Sequence, residues 1–182
     1  MSVLRRLLAL AFVGVPVAVA LDRWLATRRG TRPPAPISTL VVVDAPIAAT
    51  WAVLADIPLQ PEWMREMKRV TVTTPGPTGV GTRGEATVRI FGISVTDPVE
   101  VTVFEPPHRF EIRHEGLFTG GGVITLDEGA DGTTTVVRWD ETLVPPLIPE
   151  LGALVQAPIL RSIFQGDLHR FKRLVETGSA DG

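Results

Sequence analysis

The stretch "EVTVFEPPHRFEIRHEG", residues 100–116, decides how this chain is read. Its first half alternates, so that Val99, Val101 and Val103 point to one side of an extended segment. Pro106 and Pro107 interrupt the chain, and a second alternating run begins at His108. There Phe110 and Ile112 share a face, and the next residue on that face is His114. A titratable ring follows two core residues into an apolar layer.

The same period of two recurs on both sides: Val70 and Val72; Ala86, Val88 and Ile90; Ile124 and Leu126; Val137, Trp139 and Leu143. Gly- and Pro-rich turns separate these runs, which predicts an antiparallel meander. Upstream, "STLVVVD" at 38–44 reads as a further strand. Pro46 then opens a helix with Ile47, Thr50, Trp51 and Leu54 on one side, and Pro58 and Pro61 stop it before the short turns of "PEWMREM". After Pro149 the period becomes helical, with a stripe from Leu151 and Leu154 through Phe164 to Val175, which Pro158 is expected to kink. The predicted class is α+β: a helix-grip fold, with a curved antiparallel sheet of six to seven strands wrapped around a long C-terminal helix. Two short helices follow the first strand, and a separate hydrophobic helix precedes it. One apolar sheet face needs one cover, and the final helix is the only element long enough.

At 182 residues, 45% of them hydrophobic and 21% charged, the chain suits one domain plus an appendage. With no Cys there is no disulfide framework, thiolate nucleophile or Cys-based zinc site, and with no Asn there is no N-glycosylation acceptor. Charge is uneven. Residues 1–36 hold six Arg and one Asp, a net of +5, so the rest of a chain at −2 carries −7. An acidic body with its basic residues gathered at one terminus is a poor match for nucleic acid.

That terminus reads "RRLLALAFVGVPVAVALDRW", apolar from Leu7 to Leu21. As a helix these residues span about 22 Å against a hydrocarbon core of about 30 Å, and extension through Trp24 to Ala26 adds length at the interface. Two readings compete, with a soluble or interfacial helix as the remaining alternative. Arg5, Arg6 and Ala18-Val19-Ala20 suit a cleaved signal peptide. Arg23, Arg28, Arg29 and Arg32 resist export and favour an uncleaved membrane anchor with the body on the cytoplasmic side. The expected organisation is therefore 1–27 hydrophobic segment, 28–37 Arg/Pro-rich linker, 38–176 folded domain and 177–182 disordered tail.

The body resembles the START-like, Bet v 1-like (SRPBCC) superfamily, in particular its polyketide cyclase/dehydrase and lipid-transport branch. The resemblance rests on "DAPIAATWAVLADI" at 44–57, "PEWM" at 61–64, "GVGT" at 79–82, "VTVFEPPHRF" at 101–110 and "DLHRFKRLVE" at 167–176, and covers roughly residues 38–176. It implies a ligand cavity between sheet and long helix, with Trp63 near the entrance. Members include carriers of hydrophobic molecules and cyclases, so the resemblance leaves function open.

Other chemistry reads poorly. "GVGTRG" at 79–84 matches G-x-G-x-x-G but has prolines before it and a strand after it, the wrong setting for a dinucleotide. His108 and His114, six apart on one strand, are about 20 Å apart and cannot share a metal ion. No Ser sits in a nucleophile elbow. No cofactor and no metal are expected. The stronger pair is His114 and Glu141. Alternation puts Glu141 on the face of Val137 and Trp139, at the same end of the sheet as His114 and two strands away, about 10 Å between backbones. Val88, Ile90, Val101, Val103, Phe110, Ile112, Trp139, Leu154 and Phe164 are expected to line a site for a hydrophobic small molecule or lipid, with Trp63 touching it and His114 and Glu141 orienting a polar head. Two alternatives stand beside this reading: a cyclase or dehydratase using His114 as base, and a membrane-tethered protein-interaction module.

Overall fold

The computed structural model describes residues 3–181 apart from Phe91, with side chains from Gly14 onward. A long helix, α1 (Val3–Arg29), precedes the first strand, β1 (Ile37–Val43). Helix α2 (Ile47–Ala55), a single 3₁₀ turn (Ile57–Leu59) and the short α3 (Gln60–Trp63) follow. Then come β2 (Met67–Val72), β3 (Arg83–Ile90), β4 (Ile93–Glu105), β5 (Arg109–Glu115), β6 (Thr119–Glu128) and β7 (Thr135–Val144), and finally α4 (Pro149–Thr177). The seven strands form one antiparallel sheet in the order β1-β7-β6-β5-β4-β3-β2. A meander that returns its first strand to the side of its last presents one concave face, which α4 crosses.

Alternation in the sequence becomes burial in the structure. Ile37, Thr39, Val41 and Val43 of β1 are buried and the residues between them exposed. On β7 the buried set is Thr135, Val137, Trp139 and Glu141, so a carboxylate does share the apolar face. In α2 the buried residues are Ile47, Thr50, Trp51 and Leu54, the four marked by helical spacing. The core joins these to Trp63, Val101, Phe110, Ile124, Leu168 and Phe171.

Helix α4 is tied to the edge strand as well as packed on the sheet. Gln165 Nε2 donates to Leu40 O (2.9 Å) and Lys172 Nζ to Val42 O (2.8 Å), which occupies main-chain groups that an edge would leave free. Its first turn is capped from another helix: Asp22 Oδ1 of α1 accepts the N–H groups of Glu150 and Leu151, both at 2.8 Å. Arg29 pairs with Glu150 at 2.7 Å beside it. Gly178 ends α4 at φ 76°, a left-handed turn that suits a residue without Cβ. The segment beyond, expected as a disordered tail, folds back so that Ala180 O accepts from Arg173 Nε and Nη2.

Two expectations need correction. The alternation through Val99, Val101 and Val103 breaks at a β-bulge: Val101 pairs with Ile112 but Val103 with Glu111, leaving Thr102 as the extra residue. Val103 therefore turns to the outer face, and Phe104, opposite Phe110, takes the inner position against Trp51 and Phe110. The stripe on α4 is also only partly covered. Leu160, Leu168 and Phe171 are buried, whereas Leu154 is 61% exposed. The helix runs on through Pro158. Among the described residues no helix is long and apolar enough to cross a membrane. The expected anchor Leu7–Leu21 falls partly, through Val13, on side chains outside the described ones.

Candidate functional site

A cavity of about 220 Å³ lies between the concave face and α4. Of the residues expected along it, Val88, Ile90, Val101, Phe110, Ile112, His114, Trp139, Glu141 and Phe164 are on its wall. Trp63, Val103 and Leu154 are not. Trp63 is fully buried one layer behind, edge-on to Trp139 (6.1 Å between centroids) and Phe171 (5.1 Å). It braces the wall, and Trp139 in turn lies 4.6 Å from Phe164 across the space between sheet and helix.

His114 and Glu141 meet. His114 Nε2 donates to Glu141 Oε1 at 3.0 Å, and the other carboxylate oxygen accepts from Trp139 Nε1 at 2.8 Å. The two residues sit on β5 and β7, with β6 between them. Ile112, Gly122 and Glu141 lie in one row of the sheet, and His114, Gly120 and Leu143 in the next. What lets them touch is the absence of side chains on the middle strand. A Cβ on Gly122 would stand 2.5 Å from Glu141 Oε2, inside contact distance. The glycines of "TGGGV" are thus an opening through which β5 and β7 communicate.

A third group completes the cluster. Asp97 of β4 is buried, and its Oδ2 lies 3.3 Å from His114 Nδ1, outside hydrogen-bond geometry. Its Oδ1 accepts the N–H of Leu117 at 2.9 Å. Gly116 makes this possible, since a Cβ there would meet Asp97 Oδ1 at 1.8 Å. The imidazole therefore stands between two buried carboxylates. Burial acts most strongly on it and favours the neutral ring, but the hydrogen bond and charge of Glu141, with Asp97 added, outweigh burial and hold its pKa above the ordinary value.

Asp97 was legible by the reasoning that singled out His114. It shares the period-two face of Val95, Val99 and Val101, a polar residue in an apolar series. A second polar point was not signalled in that way. Glu66, just before β2, and Asp167 of α4 both reach the cavity wall. Asp167 Oδ1 accepts the N–H of Arg65 at 3.0 Å and lies 3.4 Å from Arg170 Nη1. Burial first, with the charge of Glu66 added, pushes its pKa up to about 6. Glu66 Oε2 is buried without a hydrogen-bond partner. Among the described residues no group of His, Cys, Asp and Glu side chains is arranged to hold a metal ion.

With this geometry the cavity can enclose an apolar body, and its polar residues can orient a single polar group. Solved structures share the architecture. A Deinococcus radiodurans protein aligns with a TM-score of 0.60 at 23% identity, over 80% of this chain and 99% of its own. A Thermus thermophilus protein aligns with a TM-score of 0.64 at 17% identity, over 79% and 99%. DynU16, from the dynemicin biosynthetic locus, gives 0.59 at 22% identity, over 81% of this chain and 49% of its own. At such identities the likeness is one of fold. No curated protein matches the chain. The family model described as polyketide cyclase/dehydrase and lipid transport matches residues 35–176, and the chain belongs to that family.

Proposed function

We propose that the domain binds a hydrophobic small molecule or lipid in the cavity between the sheet and α4. The observation that carries this reading is the wall itself: aliphatic and aromatic side chains from β3 to β7 and α4 enclose a space broken by few polar groups. The family description, which covers both cyclisation and lipid transport, fits such a site. Full-length protein is expected to bind the neutral dye N-phenyl-1-naphthylamine with simple stoichiometry and enhanced fluorescence. Ile112→Trp, which fills the cavity from a position not fully buried, abolishes this while the circular dichroism spectrum stays intact. Unchanged dye binding by the folded variant sinks the cavity reading.

A second reading is favoured by one observation, the His114–Glu141 contact at 3.0 Å. A cyclase or dehydratase would use the ring for proton transfer. Both ring nitrogens face carboxylates, however, and the raised pKa suits a proton-holding group better than a base. A His114→Gln variant that retains dye binding but loses turnover of a polyketide-like substrate would support the enzyme. For location, the apolar run before Arg23, Arg28, Arg29 and Arg32 supports a tether at a membrane, with the domain on the cytoplasmic side. Resistance of full-length protein to carbonate extraction supports it, and a mature chain that begins at Leu21 overturns it.

A further inference from the structure

Helix α1 carries two stripes with different occupations. Asp22 and Arg29 hold the start of α4, one as its cap and the other as the partner of Glu150. Val17, Leu21, Trp24 and Arg28, spaced by three and four residues, form a neighbouring stripe that stays exposed. Its apolar members are 60%, 42% and 51% exposed, and the Arg28 guanidinium lies over the Trp24 ring at 4.8 Å. Apolar exposure continues around the capped end of α4, at Leu147 just before it and at Leu154 and Val155. Among the described residues Arg23, Arg28 and Arg32 pair with no carboxylate. The apolar stripe therefore ends in uncompensated positive charge, the signature of a helix that meets an anionic bilayer.

A bilayer admits such a helix in three ways. A full span of about 30 Å takes about 20 apolar residues. The run from Leu7 to Leu21 reaches only about 22 Å as a helix. Lengthening it would draw Asp22 out of its cap and into hydrocarbon, without the two N–H groups it now accepts. A half-span would place Arg5 and Arg6 near the bilayer midplane, in a run that holds no carboxylate to pair with them. A helix lying in the interface keeps the arginines of both ends among headgroups, and leaves Asp22 and Arg29 on α4.

We infer that α1 lies in the plane of an anionic phospholipid surface, with Val17, Leu21 and Trp24 at the acyl boundary and Arg23, Arg28 and Arg32 among the headgroups. This rests on the membrane reading above and gives it a geometry. The cap then has a second consequence. It holds the start of α4 at the surface, within about three turns of Gln156 and Leu160 on the cavity wall.

The chain has no Cys, so single cysteines report on position. Full-length Ser2→Cys and Ser179→Cys proteins, in inside-out membrane vesicles of the expressing host, are treated with a membrane-impermeant maleimide. An in-plane α1 keeps both ends on one side, so both should react, or both be protected until detergent is added. A spanning α1 separates them, and reaction of only one overturns the inference. Purified full-length protein should bind phosphatidylcholine vesicles at least roughly tenfold more tightly when they contain phosphatidylglycerol. Leu21→Asp, at an exposed position, should weaken that binding about tenfold or more, while its dye binding without vesicles is retained. Equal affinity for neutral and anionic vesicles overturns the choice of lipid, and unchanged binding by Leu21→Asp overturns the stripe. A dimer in the absence of lipid that Leu21→Asp converts to monomer would assign the stripe to a second copy and overturn the inference. Absence of the protein from membranes and from both kinds of vesicle overturns the membrane reading itself, and this inference falls with it.

Discussion

Two acids interrupt the apolar wall at each end of the cavity, and the ends treat them differently. At the Asp97–Glu141 end a histidine is built in between, and its charge is held by both neighbours. This end lies by the first half of α4, where Gln156 Nε2 donates to Leu143 O. Eleven residues further along α4, about 16 Å, Glu66 and Asp167 share the wall without a histidine among them. There Asp167 is easier to protonate than an ordinary carboxyl, its pKa pushed up to about 6, while Arg170 approaches at 3.4 Å. A buried acid can thus be tolerated by adding a cation or, below about pH 6, by losing its own charge, and one cavity holds an example of each.

The comparison breaks most visibly at His114. His114→Leu fills the same space but leaves Asp97 and Glu141 facing each other without a cation. Removing one partner of a buried charge pair costs about 3–5 kcal/mol, and that is the loss expected in urea unfolding below neutral pH. The sign with pH follows from the raised pKa. Stability from His114 is fully present below its ordinary value of 6.5 and is lost as pH rises through the folded-state value. The gap between wild type and variant should therefore narrow in alkaline buffer. A cost under about 1 kcal/mol at low pH would mean that the ring offsets nothing, and the two ends would no longer differ.

Asp167 should respond in the opposite sense to substitution. Its folded pKa of about 6 lies above the ordinary 3.8, so the folded state holds the proton more tightly. Stability from this group falls as pH rises from about 4 to about 6, and at neutral pH up to about 3 kcal/mol has gone. Asp167→Asn keeps an acceptor for Arg65 N–H and removes the titration. It should stabilise the protein by about 1–3 kcal/mol at neutral pH, allowing for the lost attraction of Arg170, with no gain below pH ~4. Equal stability of the two proteins at both pH values would show that Arg170 and Arg65 already carry an ionised Asp167.

Most of the fold was legible because it rests on periodicity. Strands with one buried face, a short helix behind Pro46 and a terminal amphipathic helix follow from where apolar residues recur, and each is present. The His114–Glu141 pair was legible for the same reason, as two polar residues on apolar faces at matching depth. What escaped reading was local. The bulge at Thr102 adds one residue to β4, and nothing in the run from Val99 to Val103 marks it. It sends Val103 outward and brings Phe104 in. Trp63 carries no sign of how deep it sits, since one short turn of helix has no period to read. Glu66 and Asp167 meet only because α4 returns across the sheet, a relation between distant segments that a single sequence does not display.

The subtlest test concerns a residue with no side chain. Gly122 holds open the passage through which His114 reaches Glu141, and a methyl group there would stand 2.5 Å from Glu141 Oε2 and 3.4 Å from Trp139 Nε1. Because the obstructed atom is the end of a side chain, Gly122→Ala should shift Glu141 and leave the strand in place, at a cost of about 1–2 kcal/mol. The larger consequence is electrostatic. The hydrogen bond and charge of Glu141 are the main influences that raise the His114 pKa, while burial lowers it and would remain. Loosening Glu141 should therefore move the His114 titration, followed by ring-proton NMR, downward from its wild-type midpoint. Asp167, at the far end, should keep its own window between about 4 and 6 in the unfolding profile. An unmoved His114 titration in a folded Gly122→Ala protein would show that Asp97 alone holds the ring's charge, and that the opening in β6 serves packing only. A shift at both ends would instead join them into one electrostatic unit, and the contrast drawn between them would dissolve.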